Sequence, residues 1–243
     1  ISATGGTITT VNTNFKVHTF TGDGCFVVSQ VGNAAGSNTV DYLVIAGGGS
    51  SSQGGAPTYS GAGGGAGGYR FSDGTASGCY SAGPSPLGAS ALPVSVQTYP
   101  ITVGAGGARN PGCSHQPGLI GSNSVFSTIT SAGGGAGRMS YPSVQTGTAS
   151  PNGGSGGGGG APWPSVGSTN TTVPGGTGNT PPVSPPQGNN GGATPTNNNS
   201  GGGGGGAGGV GGNATTDNGG TGGVGLDSSI DGTPTGRGGG GGG

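Results

Sequence analysis

The residues best equipped for chemistry in this chain are few and scattered. Cys113-Ser114-His115 sets a thiol two residues from an imidazole, the beginning of a thiolate pair or a metal site, yet no companion ligand stands in register. A polar loop is the simpler reading. Asp227 and Asp231 could hold a cation only with help from loop carbonyls. With two histidines (His18, His115), six aspartates and no glutamate, no spacing sets up an acid–base pair. Glycine signatures for nucleotide binding fail on inspection. Gly47 and Gly49 are followed by Ser52 where a third glycine belongs, and Gly104 and Gly106 by Arg109. The stretch from Gly133 to Ser140 lacks the lysine that a phosphate loop requires. The expectation is a protein that is not an enzyme and takes no cofactor or metal.

Recognition chemistry is better represented. Tyr59, Tyr80, Tyr141 (with Met139 nearby) and Trp163 (between Pro162 and Pro164) each stand alone in a polar spacer bounded by glycine runs. Aromatic rings stack on sugar or peptide faces, and Tyr and Trp add a hydrogen bond, so these four are the candidate residues for contacting a sugar or a protein. The competing reading is that each ring folds back to shield the glycine runs. For Tyr69 and Phe71, beside Gly63 to Gly68, shielding is the expectation. Asn170, Asn198 and Asn213 match the glycosylation pattern, as chance allows in an Asn/Thr-rich chain. Cys79 and Cys113 pair only if their loops meet. Cys25, in a strand-like run, reads as a small buried residue.

What must position these loops is unusual. The chain has 243 residues, of which 69 are glycine, gathered in runs (47–49, 63–65, 133–135, 156–160, 201–206, 238–243) separated by spacers of unequal length. Apolar residues make up 27% and aromatics 5%, too little for a large aliphatic core. Five cations against six aspartates leave a net charge of -1, which argues against nucleic acid as a partner. No apolar stretch reaches the roughly 18 residues that a membrane span needs, so no membrane insertion is expected. The start at Ile1 reads as a fragment or mature portion.

Residues 1–46 read as β structure. Phe15 to Thr21 alternates in a period of two, Gly22-Asp23-Gly24 turns, and Cys25 to Val31 follows, which predicts a hairpin. Thr39 to Ala46 predicts a buried strand running into Gly47. Residues 47–243 form a glycine-rich domain with short strand signals at 94–96, 99–103 and 125–130. No helical periodicity occurs. A glycine run costs backbone entropy on ordering, so it must gain from its missing side chain. Bare backbones with three residues per turn can pack side by side, each donating N–H and accepting C=O across to its neighbours. The predicted fold is therefore an all-β N-terminal region plus a polyglycine-II/PPII-like helix bundle with essentially no α-helix. Alanines inside runs (Ala66, Ala136, Ala207) are expected at the edges of such a lattice. Disordered glycine tracts are the alternative.

The succession Tyr42 to Gly49, Gly63 to Tyr69, Tyr99 to Gly107, Asn123 to Phe126 with Gly133 to Gly135, and Gly201 to Gly209 resembles the glycine-rich domain of bacteriophage tail fibres and related virion proteins. That resemblance implies a glycine-rich sandwich at a fibre tip whose loops bind a host-cell surface protein or glycan, with other fibre or virion subunits, and a homo-oligomer among the options, as further partners. The location it implies is the virion. A self-assembling subunit of an extracellular filament or sheath is the alternative.

Overall fold

The computed structural model describes residues 1–32, 38–54, 61–74, 88–109, 116–139, 151–160, 172–195, 200–216 and 218–243. Every regular element among them is a strand, and no helix occurs. Short apolar runs in period two build a five-stranded antiparallel sheet from β1 (Ser2–Thr4), β4 (Gly24–Gln30), β9 (Gln97–Thr102), β10 (Ser124–Phe126) and β11 (Ile129–Ser131), in that order. Four two-stranded pairs surround it. They are β2 (Thr7–Val11) with β3 (Phe15–Thr19), β5 (Thr39–Val40) with β8 (Leu92–Pro93), β6 (Leu43–Ile45) with β7 (Tyr69–Phe71), and β12 (Leu226–Ser228) with β13 (Thr235–Arg237).

Pairing departs from the sequence expectation in instructive ways. The run at 15–21 does not form a hairpin with 25–31. β3 pairs instead with β2, Thr7 opposite Thr19 and Val11 opposite Phe15. β4 is sandwiched between β1 and β9, where Phe26 faces Tyr99. A central position gives β4 two ladders in place of one. The segment 39–46 divides into β5 and β6, and 125–130 turns back on itself as the β10–β11 hairpin, with Ser127 at a positive φ of 54°. Cys25 is exposed, against expectation, because alternation along β4 sends Phe26 and Val28 inward.

The apolar core is small and aromatic. Phe26, Val28, Val94 and Tyr99 are buried together, with Phe126 meeting Phe26 edge-on at 5.9 Å between centroids. A second cluster joins Tyr69 and Phe71 to Ala207 and Leu226. Tyr69 and Phe71 do act as shields, each 3% exposed, and their strand was not legible beforehand. Ala66, Ala136 and Ala207 are buried, so their methyls fill interior gaps instead of facing outward.

The glycine runs are not strands, yet they are closely bonded to one another. Segment 200–208 is the clearest case. Gly202 N–H donates to Gly159 O (2.8 Å) and Gly205 to Gly156 O (2.9 Å). Gly203 and Gly206 donate to Gly212 O and Gly209 O, and Gly204 and Ala207 to Gly241 O and Gly238 O. Its carbonyls accept from Gly63 and Ala66, from Gly192 and Asn189, and from Gly220 and Gly223. Bonds to any one neighbour recur every third residue, and the segment is ringed by 153–160, 187–195, 209–215, 218–225, 238–243 and 61–68.

Glycine is required here for its missing side chain. The described glycines with positive φ are Gly5, Gly6, Gly74, Gly232 and Gly238, and only the last lies in a run. A Cβ on Gly158 would fall on the Gly202 carbonyl, one on Gly203 on the Thr221 carbonyl, and one on Gly204 on the Gly64 carbonyl, all well inside the 3.0 Å that real Cβ atoms respect. The Cα hydrogens in those directions point at the carbonyls and supply weak C–H···O contacts. The interior is held by main chain against main chain.

Candidate functional site

The direction of each segment decides where its loops emerge. Segment 46–53 runs antiparallel to 61–68, with Ala46, Gly49 and Ser52 donating to Gly68, Gly65 and Ala62. It runs antiparallel to 116–122 as well, through Gly47 to Ser122, Ser50 to Leu119 and Gln53 to Gln116. Segment 132–139 is parallel to it (Gly134 to Gly47, Gly137 to Ser50), and 153–160 is parallel to that (Gly135 to Ser155, Arg138 to Gly158). The same reading extends through Val173 with Thr194, Gly202 with Gly159, Ala214 with Ala193, Gly220 with Gly201 and Gly243 with Gly220.

These registers sort the chain into two ends. Gln53, Ala62, Gln116, Met139, Gly160, Val173, Thr194, Gly201, Thr215, Asn218 and Gly243 share one end. The opposite end carries Ala46, Gly68, Ala132, Asn179 and Gly225, where the strands attach: β6 leads in at Ala46, β7 leaves at Gly68, and the β12–β13 hairpin follows Gly225. We call these the loop end and the strand end.

Tyr59, Tyr80, Tyr141 and Trp163 all lie outside the described residues, as do Cys79, Cys113 and His115. The described residues that bracket them do discriminate. Tyr59 is bracketed by Gly54 and Gly61, and Trp163 by Gly160 and Thr172, all at the loop end. Met139, the last described residue before Tyr141, lies at that same end. For Tyr80 the nearest described residues are Gly74, after β7, and Gly88, before β8. Met139, read with Tyr141 as a loop residue, is itself 5% exposed and buried.

Side-chain amides and hydroxyls finish the ends where glycine partners run out. Asn123 Oδ1 accepts from Gly133 N–H (2.9 Å), Asn190 Oδ1 from Gly178 (2.9 Å) and Asn213 Oδ1 from Ala193 (2.8 Å). At the loop end the Ser52 hydroxyl donates to Arg138 O and accepts from Ala62 N–H. At the strand end Gln187 is 1% exposed. Its Oε1 accepts from Ala132 N–H at 2.8 Å, its Nε2 donates to Pro181 O at 3.0 Å, and its carbonyl accepts from Tyr69 N–H at 2.8 Å. An amide side chain thus stands in for a strand neighbour between β7 and β11. Nothing in the local sequence marked it.

Charge separates the two ends as well. Among the described residues the charged side chains at the loop end are Arg109 and Arg138, and burial lowers the Arg138 guanidinium pKa. At the strand end Arg237 pairs with Asp231 at 2.7 Å, so Asp231 serves an ion pair. Among the described residues no three His, Cys or Asp side chains gather as metal ligands, and no helix is long and apolar enough to cross a membrane. His18 meets the Gly5 carbonyl at 2.8 Å and stands edge-on to Phe26, a packing role. The Tyr69 hydroxyl is buried, with Ser228 close by but not completing a hydrogen bond, and burial pushes its pKa up.

Fold and ends together define a glycine-rich all-β protein. Residues 25–243 match the family model of the glycine-rich domain, and the chain belongs to that family. No curated protein and no solved structure matches it.

Proposed function

We propose that this chain is a virion structural protein of a tail fibre or tail tip, an adhesin whose loops recognise a host-cell surface protein or glycan. In this reading the runs are polyglycine-II rods, three residues per turn, and a run of six spans about 19 Å. The three-residue recurrence of hydrogen bonds and the six segments ringing 200–208 support that reading. Rods bonded on all sides hold the loop anchors still, so little entropy remains to be lost at the anchors on binding.

The observation that carries the proposal is the shared pole. The described residues that precede Tyr59, Tyr141 and Trp163 in the chain, Gly54, Met139 and Gly160, all lie at the end opposite the strands. A chain that only had to pack would gain nothing by gathering its aromatic spacers on one side. Tyr80, whose nearest described neighbours in the chain adjoin β7 and β8, is the weakest of the four candidates in this reading.

Cell adsorption by particles carrying the triple replacement Tyr59→Ala, Tyr141→Ala and Trp163→Ala tests this directly. The expected result is loss of adsorption of at least tenfold with an unchanged melting temperature, while Tyr80→Ala leaves adsorption intact. Normal adsorption by the triple variant would defeat the adhesin reading.

A further inference from the structure

An asparagine followed by glycine can lose ammonia without a catalyst. The glycine amide nitrogen attacks the asparagine Cγ, and a glycine has no side chain to hinder the approach. Folding decides whether the attack occurs, because the two groups must be free to turn toward each other. Three such pairs occur in this chain: Asn152-Gly153, Asn190-Gly191 and Asn218-Gly219.

The first two are locked. Asn152 Oδ1 accepts from Thr177 N–H at 2.7 Å, and Gly153 N–H donates to Thr177 O at 3.2 Å. Asn190 Oδ1 accepts from Gly178 N–H at 2.9 Å, and Gly191 N–H donates to Gly176 O at 3.0 Å. In both pairs the carboxamide that would be attacked and the amide that would attack are committed to a neighbouring segment. Freeing them requires the glycine-rich body to open locally.

Asn218-Gly219 is built differently. It leaves a tight turn at the loop end, where Thr215 N–H donates to Asn218 O at 2.9 Å and Asn218 N–H to Thr215 O at 3.3 Å. Both residues are exposed. Among the described residues, neither the Asn218 carboxamide nor the Gly219 N–H makes a hydrogen bond. The close bonding of the body resumes one residue later, at Gly220, whose N–H donates to Gly201 O at 2.9 Å. A Cβ on Gly219 would fall on the Gly243 carbonyl, so the fold keeps glycine there and with it the unhindered amide.

We propose that Asn218 is a site of spontaneous self-modification, selected by the fold from the three pairs. The Gly219 nitrogen gives up its proton and bonds to Asn218 Cγ. The Cγ–Nδ2 bond breaks, and Nδ2 leaves with that proton as ammonia, which closes a five-membered imide. Water then opens the ring. Opening at Cγ gives aspartate, and opening at the main-chain carbonyl gives isoaspartate, with one extra carbon in the main chain. Either product sets a new carboxylate at the loop end, where the described charged side chains are Arg109 and Arg138. Isoaspartate also lengthens the chain just before the Gly220 bond to Gly201. The loop end therefore gains negative charge with age while the glycine-rich body keeps its chemistry. This inference is independent of the receptor reading.

The test incubates the purified full chain in mildly alkaline buffer and follows each pair by proteolytic digestion and mass spectrometry, with isoaspartate resolved from aspartate. In the folded chain Asn218 should convert at least tenfold faster than Asn152 or Asn190. In denaturant the three rates should converge. Asn218→Gln should remove the early ammonia release and leave the melting temperature unchanged, because glutamine closes its larger ring slowly and the exposed side chain bonds nothing. Conversion of Asn152 or Asn190 as fast as Asn218 in the folded chain would overturn the proposal. So would an equal advantage of Asn218 in denaturant, since sequence and not fold would then select it.

Discussion

The strand end and the glycine-rich body solve the same problem with opposite materials. At the strand end, Phe26, Tyr99 and Phe126 fill space with rings and the backbone bonds in ordinary two-neighbour ladders. In the body, Gly202 to Ala207 fill space with backbone itself, each amide turning to a different neighbour from the one before. The first design tolerates replacement by another apolar side chain of similar volume. The second tolerates almost nothing at interior positions, because whatever is added meets a carbonyl that belongs to another hydrogen bond. Stability in the body is thus not read from apolar burial at all.

The sharpest way to break this comparison is Gly204→Val. Its Cβ would fall on the backbone of Gly64 and Gly65, which cannot yield as a flexible side chain can. The cost should exceed the about 1–3 kcal/mol of ordinary overpacking, and the expected result is no cooperative melting transition. Next in size is Phe26→Ala, expected to cost about 3–5 kcal/mol in denaturant melts. Hydrogen exchange on that variant should show strand-end amides opening while Gly202 to Gly206 stay protected. Equal loss of protection at both ends would mean that the two regions do not behave as separate materials.

Gln187→Leu comes third. It removes the acceptor for Ala132 N–H and leaves that buried donor unpaired, at about 1–3 kcal/mol. The smallest effect is one of pH. Burial raises the phenol pKa of Tyr69 above its ordinary 10.0, and that of Tyr42 likewise, with desolvation the largest cause in both. A raised acid is favoured neutral in the fold, so the folded chain holds more protons than the unfolded one above that pH. This contribution is complete below pH 10 and is lost as pH rises through the folded values. Melting temperature should fall on that alkaline limb, less steeply in Tyr69→Phe, and a Tyr69→Phe chain with the parent's slope would refute the assignment.

How much of this was readable beforehand depends on which force set each feature. Strand positions at Phe15 to Thr19, Gly24 to Gln30 and Gln97 to Thr102 follow from local period-two patterning, and sequence displays that openly. Partner choice was not readable. β2 is built from Thr7-Ile8-Thr9-Thr10-Val11, too polar to announce itself, and it took the place assigned to 25–31. The exposed Cys25 followed from that error, since its orientation depends on which face of β4 meets the core. Gln187 was invisible because a buried amide is chosen by a long-range vacancy between β7 and β11, not by its neighbours in sequence.

The four aromatic candidates were selected by residue type alone. Which end the described residues flanking each of them reach depends on whether each segment runs up or down. That parity is fixed by registers such as Gly49 with Gly65 and Gly202 with Gly159, between residues far apart in the chain. A glycine run looks identical read in either direction, so composition carries no trace of it.

Recurrence at intervals of three has a consequence for insertions and deletions. Removing one glycine from 201–206 would shift every later amide in that run by one place in the three-residue recurrence, so each N–H would face the wrong companion. Removing three would shorten the run by one repeat and restore every pairing. Length variation inside the runs should therefore be quantised in triplets, whereas the spacers at the loop end can grow or shrink by any number. The molecule keeps one part of itself on a strict meter and leaves the other free to be rewritten.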